Sequence, residues 1–344
     1  MDYSKTSDYD YHLPVELIAQ KPLQQRDKSR MMVLNRDDGS IEHKVFDQIP
    51  SYLDEGDLVV LNNTKVIPAR LIGKIDGKTS SAELLLLNKL STGQWVAMVK
   101  PGKKLKPGTK VVFDHGVEAY IADNVKEGLR LVSFNSPKPI EKLLPLLGKV
   151  PLPPYINTEL DNPEQYQTIY ASRDGSAAAP TAGLHFTAEV LAALREKGVR
   201  IAYITLHIGP GTFQPVKTED ICNHIMHFEY YRIETITARL LNMAKIDGKR
   251  VLAVGTTVTR VLETAVNDKG KFKGRHEGWT NLYIYPGYQF RYVDAMLTNF
   301  HLPKSTLLML VSALAGRDKI MAAYREAIEN NYRFFSFGDC MLII

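Results

Sequence analysis

The chain has 344 residues, of which 44% are apolar and 24% charged, with a formal net charge of +5. This composition is that of a folded globular protein and excludes a disordered or fibrous chain. No apolar run reaches the ~20 residues of a membrane helix, and the polar opening MDYSKTSDYDYHLP is not a signal peptide. The mild positive charge permits a polyanionic partner without requiring one.

The cysteines indicate the compartment. Cys222 and Cys340 lie far apart in the chain and have neither a metal-binding nor a redox spacing. Isolated cysteines of this kind are typical of a reducing environment. We therefore expect a cytoplasmic protein with no contact to a membrane.

Two buried strands are predicted in the first 65 residues, MMVLN at 31–35 and LVVL at 58–61. The second runs directly into Asn62, Asn63 and, two positions later, Lys65. Open α/β sheets bind ligands at the carboxyl ends of their strands, so these polar residues are candidate substrate contacts. The alternative is a polar turn held together by asparagine side chains.

From Arg70 to Phe134, six short β-rich runs follow one another without an intervening helix, separated by turn signals such as DGK, KPG and DHG. This pattern predicts a small antiparallel barrel or sandwich. One of its loops, 100–110, is rich in lysine. The lysines considered for contacts with nucleic-acid phosphates are Lys100, Lys103, Lys104 and Lys106. The alternative for this loop is a solvated segment that protects a sheet edge.

A proline-rich passage, including KVPLPPYI, leads out of the β-rich block, and strands then alternate with helices from residue 198 onwards. That alternation predicts an α/β sheet. Because strands lie on both sides of the β-rich block, we predict a discontinuous α/β sandwich domain, residues 1–65 and 151–344, interrupted by an inserted small antiparallel β-barrel at 66–150.

The stretch 176–216 contains two histidines flanked by glycine. Gly183 and His185 precede a helix that Thr187 is placed to cap, and a β-branched strand runs into His207. The glycines Gly209 and Gly211 follow His207. Glycine turns after strands let a ligand approach the backbone, so we predict one pocket containing both histidines.

Three further clusters are candidate parts of the pocket. Gly255, Thr256 and Thr257 precede a helix that carries Arg260, where a carboxylate, ribose or phosphate could bind; the alternative is a simply capped helix. The second cluster is His224, His227 and Glu229, a histidine pair without a third metal ligand, for which substrate contact or structural hydrogen bonding is favoured over metal. The third consists of Asp294, Asn299, His301 and Ser305 beside an apolar helix.

Spacing alone therefore predicts an α/β enzyme with a histidine-lined pocket and a barrel insertion, and it leaves the reaction open. The sequence has no nucleophile elbow G-x-S-x-G and no paired-carboxylate pattern.

Motifs distributed over almost the whole chain narrow this choice. They are LPVELIAQKPLQQRDKSRMMVLNR, LNNTKVIPARL, KPGKKLKPGT, VPLPPYI, AAPTAGLHFT, TLHIGPGTF, TNFHLPKSTLLMLVSALAG and FGDCMLI. In this order they resemble the S-adenosylmethionine:tRNA ribosyltransferase-isomerase family of queuosine biosynthesis. The resemblance implies an α/β domain with an inserted barrel. It also implies transfer of the ribosyl part of S-adenosylmethionine to 7-aminomethyl-7-deazaguanine at the wobble position of tRNA, which gives epoxyqueuosine-tRNA and releases adenine and methionine.

The resemblance also suggests roles for the candidate residues. His185 and His207 are the predicted proton-transfer pair, and Asp294, Asn299 and His301 are the predicted partners of the leaving adenine. Further predicted substrate contacts are Asn62, Asn63, Lys65, Arg70, Thr181, Gly183, Gly209, Gly211, His224, His227, Glu229, Gly255, Thr256, Thr257, Arg260 and Ser305. The methionine carboxylate is placed at residues 255–257, opposite Arg260, and tRNA phosphates at Lys65, Arg70 and the lysine loop.

The resemblance implies two partners, S-adenosylmethionine and a tRNA anticodon stem-loop. S-adenosylmethionine is consumed as a substrate, so we expect no cofactor. We expect the protein to be a monomer. A second hypothesis is a non-catalytic paralogue that binds RNA or a nucleoside. A third is an S-adenosylmethionine-consuming enzyme that acts on a small molecule.

Overall fold

The structure is a computed structural model that describes residues 3–125, 128–158, 160, 162–209 and 216–344. The chain divides into two compact units. The first consists of Met1–Thr64, Pro154–Arg173 and Ala179–Ile344, and the second of Lys65–Pro153 and Asp174–Ala178.

The secondary structure alternates in the first unit and is almost all β in the second. The strands are β1 (Arg30–Leu34), β2 (Ile41–Val45), β3 (Leu58–Asn62), β4 (Thr64–Val66), β5 (Arg70–Ile75), β6 (Ser81–Lys89), β7 (Trp95–Lys100), β8 (Lys110–Val112), β9 (Glu118–Asn124), β10 (Arg130–Asn135), β11 (Gly148–Lys149), β12 (Arg173–Ser176), β13 (Arg200–Leu206), β14 (Glu229–Ile233), β15 (Val251–Val254), β16 (His276–Thr280), β17 (Ala295–Asn299) and β18 (Cys340–Ile343). The α-helices are α1 (Ile140–Leu147), α2 (Ala188–Glu196), α3 (Thr235–Ile246), α4 (Thr256–Ala265), α5 (Thr306–Ala315) and α6 (Arg317–Glu329).

The first unit is built on a nine-stranded sheet with the order β16-β14-β13-β3-β15-β17-β18-β1-β2. Its centre is parallel: Leu58 of β3 lies beside Arg200 of β13 and Val251 of β15, and β15 runs parallel to β17. Strands buried on both faces are expected to be continuously apolar, which explains LVVL in β3 and VLAV in β15. The carboxyl ends of these four strands lie along one edge of the sheet.

Helices cover both faces of this sheet. On one face, Leu61 and Val254 pack with Leu191 and Leu194 of α2. On the other face, Met296 joins the apolar side chains of α5 and α6 in a second core. The structure confirms the predicted α/β sandwich.

Helix α2 begins and ends as its sequence predicts. The Thr187 side chain accepts a hydrogen bond from the backbone N–H of Val190 at 3.4 Å. Gly198, just beyond the helix, has φ +80°, a conformation that glycine adopts without steric cost. The turn after α2 positions β13.

The second unit contains a closed antiparallel barrel with the strand order β5-β6-β7-β10-β9-β8, which the pairing of β5 with β8 closes. Strand β11 adds to β5. Alternate side chains, among them Leu71, Leu84 and Trp95, fill its core. Closure removes unpaired strand edges. The predicted barrel is therefore confirmed.

Candidate active site

A cavity of about 270 Å³ lies at the carboxyl edge of the parallel strands in the first unit. The segments after β15 and β17, the turn before α2 and the residue Ile208 all contribute to its wall. The predicted site residues that line it are Thr181, Gly255, Thr256, Thr257, Asn299, His301 and Ser305. Crevices at this position are where open α/β sheets bind ligands.

The amino terminus of α4 forms one wall of the cavity. Gly255 has φ +93°, and its N–H donates to Leu297 O of the neighbouring strand β17 at 2.7 Å. This sharp turn directs Thr256 and Thr257, the first residues of the helix, to the cavity wall. The unpaired N–H groups of a helix start favour an anionic or electron-rich ligand atom.

Asn299 is the most constrained polar group at the cavity. Its Nδ2 donates to His185 Nε2 at 3.2 Å and to Phe335 O at 3.2 Å. Its Oδ1 accepts from Thr181 Oγ1 at 3.1 Å. Since carbonyl oxygens and an imidazole nitrogen surround Nδ2, the orientation of the carboxamide follows from the network. Asn299 is therefore held in one orientation at the cavity wall.

His185 lies behind Asn299, fully buried and outside the cavity lining. Its Nε2 accepts from Asn299, so Nδ1 carries the proton and donates to Ser29 Oγ at 2.6 Å; Ser29 in turn donates to Arg26 O at 3.0 Å. Burial, and secondarily the nearby Arg26 charge, holds the pKa of His185 well below its usual value. His185 therefore does not line the cavity, and its ring nitrogens are bonded to Asn299 and Ser29. This arrangement favours a role in holding Asn299 over the predicted role of a base.

His301 does line the cavity. Its Nε2 shares a hydrogen bond of 2.7 Å with Thr298 Oγ1, its backbone N–H donates to Tyr324 Oη at 2.9 Å, and its carbonyl accepts from Tyr11 Oη. Burial lowers the pKa of His301 to about 3. The ring is therefore a neutral hydrogen-bonding group at neutral pH.

His207 occupies a different surface. It follows β13, and its Nδ1 shares a hydrogen bond of 2.8 Å with Thr64 Oγ1, while the next residue, Ile208, lines the cavity. Adjacent residues of an extended segment point to opposite faces. The prediction that His185 and His207 share one pocket is therefore wrong.

The asparagines at the end of β3 join it to a neighbouring strand. Asn62 Nδ2 donates to Leu206 O at 3.0 Å, and its Oδ1 accepts from Leu206 N at 3.0 Å. Asn63 Oδ1 accepts from Thr205 Oγ1 at 2.7 Å. Both residues thus tie the end of β3 to β13, which is the alternative that the sequence left open, and neither lines the cavity.

Asp294 lies at the opposite edge of the sheet, before β17 begins. Its Oδ2 accepts from Lys245 Nζ at 2.5 Å and from Val251 N at 2.8 Å. Asp294 does not line the cavity, whereas Asn299, at the other end of the same strand, does. The contact of Asp294 with adenine stays a prediction.

Arg260 and Glu229 form a buried ion pair away from the cavity lining. Arg260 Nε also donates to Leu282 O at 2.8 Å, and Glu229 Oε1 accepts from Gly209 N at 3.0 Å. The pair therefore connects α4, β14 and the turn after β13. Arg260 is committed to this pair and does not stand opposite residues 255–257 as predicted.

The remaining predicted residues of the first unit lie outside the cavity lining. A Cβ at Gly183 would clash with Tyr170 Oη, so this glycine permits close packing. His224 lies edge-on to Tyr283 at 5.3 Å and His227 is exposed; both follow a short 3₁₀ turn, where no helix forms to align them. Gly211 lies outside the described residues.

The predicted phosphate contacts belong to the second unit. Arg70 pairs with Glu83 at 3.4 Å, and Lys65 is exposed. The four loop lysines are exposed as well: Lys100, Lys103, Lys104 and Lys106. They are accessible to a polyanion.

Sequence reasoning missed several cavity residues that are apolar or aromatic. Among them are Tyr155, whose Oη shares a hydrogen bond of 2.7 Å with Ser336 Oγ, and Phe335, which has φ +69°. A non-glycine residue at positive φ often marks a functional site. The available signal was positional, since Tyr155 belongs to VPLPPYI and Phe335 and Ser336 precede FGDCMLI.

Across the described ranges, no group of three His, Cys, Asp or Glu side chains is arranged to hold a metal ion. Across the same residues, no helix combines the length and the apolar character needed to cross a membrane.

The fold and the cavity define a class: an α/β ligand-binding unit, interrupted by a small barrel, with its site at a helix start and the carboxyl ends of parallel strands.

Comparisons with known proteins identify the family. A sequence model of the family described as queuosine biosynthesis protein matches residues 6–343. A relative from Desulfitobacterium hafniense, named S-adenosylmethionine:tRNA ribosyltransferase-isomerase, is 53% identical over 341 residues, 99% of this chain and 100% of the relative. A relative of the same name from Clostridioides difficile is 53% identical over 98% of this chain and 99% of its own length.

The crystal structure of an S-adenosylmethionine tRNA ribosyltransferase from Thermotoga maritima is also similar, with 40% identity and a TM-score of 0.57. The match covers 98% of this chain and 100% of that one. The chain belongs to the queuosine biosynthesis protein family, and the resemblance found in the sequence is confirmed.

Proposed function

We propose that this protein is an S-adenosylmethionine:tRNA ribosyltransferase-isomerase. It moves the ribosyl part of S-adenosylmethionine onto 7-aminomethyl-7-deazaguanine at the tRNA wobble position. Adenine and methionine leave, and epoxyqueuosine-tRNA is the product. The supporting observation is agreement over nearly the whole chain with relatives of that name. S-adenosylmethionine is a substrate here, so the reaction uses no separate cofactor.

We place S-adenosylmethionine in the cavity, with its carboxylate at the N–H groups of Thr256 and Thr257. The helix start supplies the positive potential, because the Arg260 charge is already balanced by Glu229. The adenine lies against Asn299 and His301, whose polar atoms suit the hydrogen-bonding edge of a purine.

The neutral state of His301 limits what this imidazole does. A group with a pKa of about 3 is almost never protonated at pH 7, so it does not deliver a proton to adenine from a charged ring. Its role in this proposal is to hold the leaving base by hydrogen bonding. His185 is a positioning residue that acts through Asn299.

The proposed macromolecular partner is the anticodon stem-loop of tRNA, bound by a cytoplasmic monomer. The exposed lysines of the barrel loop suit phosphate contacts that position the RNA without specifying sequence.

The decisive experiment is adenine release from S-adenosylmethionine in the presence of tRNA that carries the 7-aminomethyl base. We expect release only with that tRNA. Release without tRNA would instead identify an enzyme that acts on a small molecule. Binding of tRNA without release would identify a non-catalytic paralogue.

A further inference from the structure

An aromatic row crosses three neighbouring strands at one end of the nine-stranded sheet. It consists of His207, Tyr230 and Trp279. Tyr230 of β14 lies directly opposite Trp279 of β16, and His207 N donates to Tyr230 O at 3.0 Å. Residues directly opposite each other on paired strands share a face of the sheet, so the three side chains lie side by side.

The rings of the aromatic row are held in contact. The centroids of His207 and Tyr230 are 5.8 Å apart with an interplanar angle of 22°, and those of Tyr230 and Trp279 are 5.7 Å apart at 69°. Tyr230 Oη donates to Glu277 Oε2 at 3.0 Å, which fixes the ring from its outer end. The row is therefore preorganised.

Trp279 is 51% exposed, although tryptophan usually buries most of its surface. The other tryptophan, Trp95, is 5% exposed and fills the barrel core. An indole left half in water, braced by a second ring, is not needed for core packing. It is available to a flat ligand.

Arginines border the row. Arg232 pairs with Glu234 at 2.5 Å, Arg173 pairs with the same carboxylate at 3.4 Å, and Arg275 pairs with Glu277 at 3.3 Å. Three guanidinium groups thus face two carboxylates, so these contacts leave one positive charge in excess. That balance favours an anionic partner such as a nucleic acid over a basic or neutral apolar one.

We propose that the aromatic row stacks unpaired nucleobases of the RNA substrate. Aromatic side chains on an open sheet face, with arginines beside them, are the groups that bind single-stranded RNA. The row and the cavity lie on different surfaces, because Ile208 lines the cavity while the preceding residue, His207, points to the opposite face. This inference rests on the proposed function, because it takes the RNA substrate as the ligand.

Steady-state kinetics with tRNA test the row. Loss of one base–aromatic stack in Trp279→Ala should raise the KM for tRNA by about 5-fold to about 100-fold and leave the KM for S-adenosylmethionine unchanged. Trp279→Phe keeps a ring and should retain most of the affinity. Ile246→Ala is the matched control, since Ile246 is an exposed apolar residue at the end of α3, outside the row. An unchanged KM for tRNA in Trp279→Ala would overturn the proposal.

Tryptophan fluorescence tests the row without turnover, because the chain has two tryptophans. The probe is an unmodified anticodon-loop oligonucleotide. In Trp95→Phe, where Trp279 is the remaining tryptophan, RNA should quench the emission. In Trp279→Phe, with Trp95 remaining, RNA should leave it unchanged. Equal quenching in the two variants would contradict stacking on Trp279.

The two assays separate this inference from the proposed function. If the protein releases adenine and Trp279→Ala leaves the KM for tRNA unchanged, the proposed function is supported and the RNA-binding role of the aromatic row is rejected. If no adenine is released but RNA quenches only the emission of Trp279, the proposed function is rejected and the RNA-binding role of the aromatic row is supported. A change in oligomeric state of Trp279→Ala, without an effect on RNA, would assign the row to a protein contact and overturn the proposal.

Discussion

Two buried imidazoles link the stability of this protein to pH. Burial lowers the pKa of His301 to about 3 and that of His185 well below its usual value. In the unfolded chain both rings return to a pKa of about 6.5. Below that pH the unfolded state therefore binds more protons than the folded state, and acidification favours unfolding.

We expect the free energy of unfolding to be highest above pH 6.5. It should fall by up to about 1.4 kcal/mol per pH unit for each imidazole as the pH decreases toward the folded-state pKa. Urea unfolding at several pH values between 4.5 and 7.5 measures this slope. His301→Gln removes one of the two imidazoles, so it should reduce the change in unfolding free energy per pH unit. If the variant and the unchanged protein show the same pH dependence, the neutral state of His301 is contradicted.

The orientation of Asn299 supports a second prediction. Asn299→Asp places a carboxylate oxygen against Phe335 O and His185 Nε2, which both accept hydrogen bonds from the amide. We expect a loss of about 1–3 kcal/mol in unfolding free energy and a higher KM for S-adenosylmethionine.

His185 provides the comparison for this prediction. His185→Gln retains an oxygen that can accept from Asn299, so it should keep a lower KM for S-adenosylmethionine than His185→Ala. Equal KM values in the two variants, with both folded, would contradict a positioning role.

For individual side chains, the sequence shows which residues are polar but not in which direction each side chain points. Asp294 precedes β17 and Asn299 is its last residue, so the strand direction decides that Asn299 lies at the cavity and that Asp294 pairs with Lys245 at the opposite end. Nor could spacing reveal that Asn62 is satisfied by Leu206 of a strand 144 positions away.

Among the elements, α5 depends on a residue that also lines the cavity. Ser305 Oγ accepts from Leu308 N at 3.2 Å and donates to Leu302 O at 2.7 Å, so the hydroxyl is used as the helix cap. Ser305→Ala should lower the unfolding free energy by about 1 kcal/mol, with little change in the KM for S-adenosylmethionine. Ser305→Thr, which can also cap, serves as the control. Undiminished stability with a raised KM would show a ligand contact instead.

Helices and strands with a clear periodicity of apolar residues were predictable from the sequence. A segment whose apolar residues do not pack against the core was not. The six barrel strands follow the β-rich runs, and α2 follows its cap and apolar face. In ICNHIMHF, by contrast, Ile225 and Phe228 are 77% and 63% exposed. Apolar residues that pack against nothing do not stabilise a helix, so the backbone there is irregular.

For the molecule as a whole, the exposed lysine loop of the barrel predicts how binding depends on salt. If Lys103, Lys104 and Lys106 each contact a phosphate, replacing all three with Ala should reduce the slope of log affinity against log salt by roughly 2. Filter binding of tRNA at several KCl concentrations measures this. Lys89→Ala is the control, because this barrel lysine is paired with Glu141. An unchanged slope in the triple variant would exclude the loop from the RNA contact.

The two-part architecture was largely predictable, because a block of strands without helices interrupts an alternating pattern. The boundaries in the structure, 65–153 with 174–178, differ slightly from 66–150. After residue 153 the chain returns to the first unit, and residues 174–178 then belong to the barrel unit again. This short segment has no periodic pattern of apolar residues. Local patterns cannot predict such an exchange.

The pairing of β11 with β5 has a consequence for folding. Lys149 lies beside Arg70, so the two ends of the barrel segment meet inside the barrel itself. An unstructured loop of about 80 residues would cost the α/β unit about 4 kcal/mol of closure entropy, from (3/2)RT ln n. Once the barrel has folded, the distance between its ends is set by one strand pair, and the α/β chain on either side is joined as if by a short turn. The inserted barrel thus adds about 80 residues to the chain without the closure entropy that an unstructured loop of that length would cost the α/β unit.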